Sequence, residues 1–169
     1  MRTLLATLLL GLSACASSGT GIRYDAERGQ TYYESRAISL GDPVGASGLG
    51  SARITLQAEA QCEGQACAPR RYDVSLSKSG GSSAAADYSS ISFETDQGTV
   101  SFGGQNAPGS SAQFFDAQQG EFARLSVPAE IFRSFATAST LTIRLGGNTY
   151  QIGHARRAGL RSLLPEGQR

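Results

Sequence analysis

The chain has 169 residues, 15 of them Lys or Arg and 14 Asp or Glu, for a formal net charge of +1, with 40% hydrophobic residues, 3 Cys, 1 His and no Trp. That length and apolar content suit one domain with a buried core, and the balanced charge lacks the basic excess that marks a duplex-binding domain, so no nucleic-acid partner is expected. One His and three Cys are too few ligands for a Cys/His zinc site, and no metal or cofactor is expected.

Residues 1–14 read MRTLLATLLLGLSA, with one positive charge at Arg2, an apolar run and small residues before Cys15. The run is shorter than the roughly 20 apolar residues of a membrane-spanning helix and fits a secretory signal peptide. Its end, Leu12-Ser13-Ala14-Cys15, resembles the lipobox of bacterial lipoproteins. The resemblance implies diacylglycerol on the Cys15 sulfur, cleavage before Cys15 and acylation (palmitate) of the new amino group. Ala16, where an Asp would favour the inner membrane, implies an outer-membrane anchor with the domain facing the periplasm. Removing 14 of 169 residues would leave a mature chain of 155, without Arg2 and therefore with 14 basic and 14 acidic residues. Residues 15–29 then read as the lipidated end and a small, polar, Gly-rich tether, and residues 30–169 as a single β-rich domain.

Thr31 to Leu40 carries aromatic and β-branched residues and predicts a strand ended by Gly41-Asp42-Pro43. Residues 53–62, RITLQAEAQC, alternate without a break, with Ile54, Leu56, Ala58, Ala60 and Cys62 on one face. Tyr72, Val74 and Leu76 repeat the pattern, so the two runs predict a hairpin with the Cys62–Cys67 segment as its turn. In an exported chain two Cys with four residues between them read as a structural disulfide pinning that hairpin's register, and C-x4-C is not the C-x-x-C of redox catalysts. Residues 78–87 and 103–120 read as polar loops, the second with Phe114-Phe115 embedded in it. Between them Ile91 and Phe93 lead into a turn at Gly98 and return through Val100 and Phe102.

Phe122 to Val127 predicts a strand, and Pro128 then suits the first turn of a helix whose apolar stripe is Ile131, Phe132, Phe135, Ala136 and Ala138. Leu141, Ile143 and Leu145 pair with Tyr150 and Ile152 across a turn assigned to three residues, Gly146-Gly147-Asn148. His154 to Leu164 predicts a last helix carrying Leu160, Leu163 and Leu164, stopped by Pro165. The fold class that follows is mainly β, an antiparallel β-sandwich or half-open barrel with two short helices near the C-terminus.

No residue pattern calls for catalysis. His154 is the only imidazole and has no nucleophile motif near it, and the eight Glu and six Asp show no spacing that singles out a pair. Fourteen of the fifteen basic residues are Arg, with doublets at Arg70-Arg71 and Arg156-Arg157. The guanidinium fork suits phosphate, sulfate or carboxylate groups, while a compositional bias that also explains the wealth of Ala, Gly and Ser would produce the same count. Arg70, Arg71, Phe114, Phe115, Arg156 and Arg157 are therefore the candidate ligand contacts, beside Cys15 for lipid and Cys62–Cys67 for the bridge. The function expected is a lipid-anchored envelope protein with a non-catalytic binding or structural domain, whose partner is an envelope protein or glycan. The alternatives are a carboxylate-dependent hydrolase and a carrier of a small apolar ligand, the latter requiring space at Ile54, Leu56, Val74, Phe93 and Phe102.

Overall fold

The computed structural model describes residues 21–45, 53–79, 90–102 and 122–167. Among the described residues ten strands form two antiparallel sheets that do not close into a barrel, as the alternating runs foretell. The larger sheet contains β1 (Gly21–Asp25), β2 (Gln30–Glu34), β3 (Ile38–Ser39), β4 (Arg53–Glu63), β5 (Arg71–Ser79) and β8 (Phe122–Pro128), in the order β1-β2-β4-β5-β8 with β3 also on β4. The smaller runs β10 (Asn148–Gly153), β9 (Thr140–Leu145), β6 (Ile91–Thr95), β7 (Gly98–Phe102). Helix α1 (Ala129–Thr137) carries the chain from one sheet to the other, and a 3₁₀ turn (His154–Arg157) with the short helix α2 (Ala158–Arg161) closes the C-terminal end.

The inward positions of both sheets form one core. Ile54, Leu56 and Ala58 of β4, Val74 and Leu76 of β5, and Leu125 and Val127 of β8 meet Phe93, Ile143 and Ile152 of the smaller sheet, all buried. Helix α1 binds the two sheets together with two rings one turn apart. Phe132 stacks on Tyr72 of β5 with centroids 3.9 Å apart, and Phe135 stacks on Phe93 of β6 at 4.4 Å. Burying a Phe is worth about 1.5–3 kcal/mol, so this pair holds the layers with the energy of several surface contacts. Pro128 ends β8 and starts α1: its extended backbone suits the strand, and the next N–H, of Ala129, donates to the Arg70 carbonyl at 2.9 Å.

Four local expectations change. The strand predicted over 31–40 is interrupted, because Glu34 lies opposite Glu59 while Ile38 lies opposite Leu56, which places one extra residue on the β2–β3 side. Ser35 fills this bulge: its N–H donates to the Ala58 carbonyl and its hydroxyl accepts from the Ala58 N–H, both at 2.8 Å. Second, part of the segment read as tether is strand β1, paired residue by residue with β2 from Gly21↔Glu34 to Asp25↔Gln30. Its three central side chains are exposed, so backbone pairing holds it, and the single Ile22–Tyr24 alternation is too short to announce a strand. Third, the β9–β10 turn has two residues, Gly146 and Gly147, since Leu145 pairs directly with Asn148; Gly146 takes the positive φ, 53°, that this tight turn demands. Fourth, the last helix is split, 3₁₀ before α, although Leu160, Leu163 and Leu164 are buried.

The Cys62–Cys67 disulfide is formed, with an S–S distance of 2.02 Å. It does not bridge the β4–β5 hairpin, because that pairing ends at Glu59↔Asp73 and β5 starts only at Arg71. Instead it closes a small loop at the end of β4, which the neighbouring β2 grips. Thr31 Oγ1 donates to the Gly64 carbonyl at 2.6 Å, Tyr33 Oη to the Cys67 carbonyl at 2.5 Å, and the Gly64 N–H to the Gly29 carbonyl at 2.8 Å.

Candidate functional site: a polar groove on the outer sheet face

The outward positions of the larger sheet are set by the same alternation that fills the core. Glu34, Glu59 and Asp73 fall in one row, because Glu34 pairs with Glu59 and Glu59 with Asp73 across three adjacent strands. Directly opposed like charges destabilise a sheet by a few tenths to about 1 kcal/mol per pair, so folding alone does not favour this row. Arg124 relieves part of it by reaching across β5 to Glu59, Nη2 to Oε1 2.8 Å. Gln57 donates to Glu34 at 3.1 Å. On the other side Arg23 of β1 lies over the ring of Tyr32, 5.3 Å from its centroid. Tyr32 Oη donates to Gln30 Oε1 at 3.0 Å and receives a longer bond from Arg28 at 3.4 Å.

Together Arg23, Tyr32, Gln61, the three carboxylates and Arg124 border an open groove of about 350 Å³. It offers donors and acceptors of both signs, an aromatic ring and a floor of β-sheet. Among the described residues no group of three or more His, Cys, Asp or Glu converges to hold a metal ion. Side chains of these types can pair with hydroxyl, amide or charged groups.

The residues singled out from sequence are dispersed. Cys15, Phe114 and Phe115 lie outside the described residues. Arg70 is exposed ahead of β5, and Arg71 reaches along the outer face to β8, donating to Ser126 Oγ at 2.9 Å and to the Ser126 carbonyl at 2.7 Å. Arg156 is exposed and donates to the Ser39 carbonyl. Arg157, expected at the surface as a ligand contact, is instead fully buried at 0% exposure. Its Nη1 donates to the Phe135 carbonyl at 2.5 Å, and its Nη2 to those of Ala138 at 2.5 Å and Ser139 at 3.2 Å. These are the carbonyls at the C-terminal end of α1, where a cation also meets the negative end of the helix dipole. Burial pushes the guanidinium pKa down and nearby Arg161 adds to this, against the opposing pull of Asp96. The two doublets thus do not make one anion site.

Tyr32 and Tyr33 part company as neighbours on a strand must. Tyr33 points inward at 5% exposure, and burial raises its pKa. His154 is exposed, and its carbonyl accepts from Arg161 at 2.7 Å. The positions where a carrier would need space are packed: Ile54, Leu56, Val74, Phe93 and Phe102 are each at most 2% exposed. Sequence reasoning missed Arg23, Glu34, Glu59, Gln61, Asp73 and Arg124 as a set. Apart from Arg23, whose strand reads as tether, their outward parity was legible in the alternation, but the register that aligns the set across five strands was not.

Compared with protein-family models, with curated proteins and with solved structures, the chain matches none.

Proposed function

We propose that this protein is a lipid-anchored envelope protein, held in the outer membrane through Cys15, whose β-sandwich binds a hydroxyl-rich envelope glycan in the groove on its outer sheet face. The observation that carries the binding reading is the groove itself, an open sheet face combining Tyr32 with Glu34, Glu59, Asp73, Gln61 and Arg124. Carboxylates and amides accept and donate to sugar hydroxyls, arginines meet acidic sugars, and a tyrosine ring covers the apolar face of a pyranose. The signal-like residues 1–14 and the lipobox-like Leu12-Ser13-Ala14-Cys15 support the location.

Calorimetric titration of the domain with soluble peptidoglycan fragments and lipopolysaccharide-derived oligosaccharides tests the binding. Tyr32→Ala and Asp73→Asn should each weaken it about tenfold, equivalent to roughly 1.4 kcal/mol, while the fold is kept. Parent protein that binds no fragment saturably, or variants that bind as it does, would sink the glycan reading. For the anchor, Cys15→Ser should move the protein out of the membrane fraction, and a variant that stays there refutes it.

A hydrolase reading has one observation in its favour, the direct opposition of Glu59 and Asp73 in the groove. Directly opposed residues have Cα atoms about 4.5–5.5 Å apart, a spacing that lets their carboxyl groups approach the roughly 5 Å separation of retaining glycosidases. Incubation with the same glycans separates the two: released fragments, lost in Asp73→Asn, would favour catalysis over binding.

A further inference from the structure

We propose that the β1 edge of the larger sheet is a membrane-docking surface, with Ile22 and Tyr24 seated at the headgroup–acyl boundary of the leaflet that holds Cys15. The inference rests on the lipid-anchor reading above and adds an orientation to it.

Strand β1 pairs Ile22 with Tyr33 and Tyr24 with Thr31, residues that face the core and are buried. Ile22 and Tyr24 therefore point to the same side, yet they are 46% and 40% exposed, so the covering layer stops short of this edge. With Val44 they are the exposed large hydrophobic residues among those described. A branched aliphatic beside a tyrosine is the pairing suited to a bilayer interface, where the ring keeps its hydroxyl in the headgroup layer. The occupant of this face follows from chain length. Cys15 and the first residue of β1, Gly21, are six Cα–Cα steps apart, at most about 22 Å whatever path the intervening residues take. A leash running to residue 29 would have let the domain turn freely; one that ends at Gly21 delivers β1 to the bilayer first. The opposite edge, β8, lies four strand spacings away, about 19 Å further off. In this pose the groove bordered by Arg23 opens beside the membrane, so its ligand is the part of a glycan nearest the leaflet surface.

The chain has no Trp, so a single substitution creates a clean reporter. Full-length Tyr24→Trp, Ile22→Trp and, as a control, Val44→Trp are purified in detergent and reconstituted into phosphatidylethanolamine–phosphatidylglycerol vesicles containing brominated lipid. Val44 is more exposed still, at 59%, but belongs near β10, its N–H donating to the Thr149 carbonyl at 2.7 Å. Trp at 22 or 24 should shift to the blue and lose at least about half its emission, as expected for a side chain at the interface, with Trp at 44 unaffected. Vesicle-bound protein in which neither 22 nor 24 is quenched, or in which 44 is quenched equally, overturns the docking surface and leaves the anchor standing. A blue shift without lipid quenching that grows with protein density would assign the edge to a second copy and also overturn it. Protein that fails to float with the vesicles removes the anchor reading and this one together.

Discussion

Arg156 and Arg157 are neighbours with the same side chain, and replacing each with Met should give very different results. Arg157 makes two hydrogen bonds of 2.5 Å to the Phe135 and Ala138 carbonyls and a third of 3.2 Å to Ser139. Hydrogen bonds from a charged donor contribute about 1.5–3 kcal/mol each, so the two short ones amount to roughly 3–6 kcal/mol. Substituting a hydrophobe for a buried ion pair is often harmless, because both charges can be removed together. Here the partners are backbone carbonyls, which no substitution removes, and Arg157→Met leaves them buried without donors. Met keeps much of the side-chain volume, so the loss should reflect the missing bonds and little cavity formation. Against a typical total stability of 5–15 kcal/mol, a loss of about 4 kcal/mol is severe. Urea unfolding of the soluble domain checks it: with a slope of about 2 kcal/mol per molar, the midpoint should fall by about 2 M. Arg157→Lys should recover part of this, because one ammonium cannot copy the spread of the guanidinium fork. Arg156→Met, losing one exposed bond to Ser39, should stay within about 1 kcal/mol of the parent. An Arg157→Met midpoint indistinguishable from that of Arg156→Met would refute the view that the buried guanidinium holds the end of α1.

Three further outcomes follow from the same structure. Burial first, then the Tyr33 hydroxyl, raise the Tyr72 pKa to about 12 against the opposing pull of Arg133; the stability this confers is complete below pH 10 and falls by up to about 1.4 kcal/mol per pH unit between 10 and 12. Tyr72→Phe keeps the ring on Phe132 and should flatten that alkaline limb, and an unchanged limb in urea titrations across this range would contradict the assignment. Asp96 accepts from the Ser139 hydroxyl at 2.9 Å and its N–H at 3.3 Å, which hold its carboxyl below the ordinary range; its contribution is present above about pH 4 and lost as pH falls through the folded-state value. Asp96→Asn should therefore lie below the parent at neutral pH and converge with it in acid, and a gap that stays constant with pH would count against this. Replacing Cys62 and Cys67 by Ser should lower stability by about 2 kcal/mol and speed hydrogen exchange at Gly64, with the parent's non-reduced mass about 2 Da below its reduced mass. Free thiols in the native parent would contradict the bridge.

The class of fold was legible because burial on one face of a strand imposes a period of two, and residues 53–62 and 72–76 carry that period almost without exception. The stripe on α1 and the bridge of Cys62 with Cys67 are equally local, since both depend on residues a few positions apart. Parity breaks at the Ser35 bulge, where the buried positions change from the odd-numbered Thr31 and Tyr33 to the even-numbered Ile38 and Leu40, and the strand predicted over 31–40 ran through that break unmarked. What parity cannot carry is register between strands, because pairings shifted by two residues keep the same inward set. Only the folded sheet decides that Glu34, Glu59 and Asp73 align and that Arg124 reaches over β5 to meet them. Strand β1 escaped for the complementary reason: backbone pairing to β2 holds it, and its two apolar side chains are too few to set a period. The two arginines make the division plainest. In sequence Arg156 and Arg157 are one motif, yet a 3₁₀ turn sends consecutive side chains in different directions. One reaches the surface beside β3, while the other passes under the end of a helix some twenty residues earlier, where carbonyls without partners fix its place.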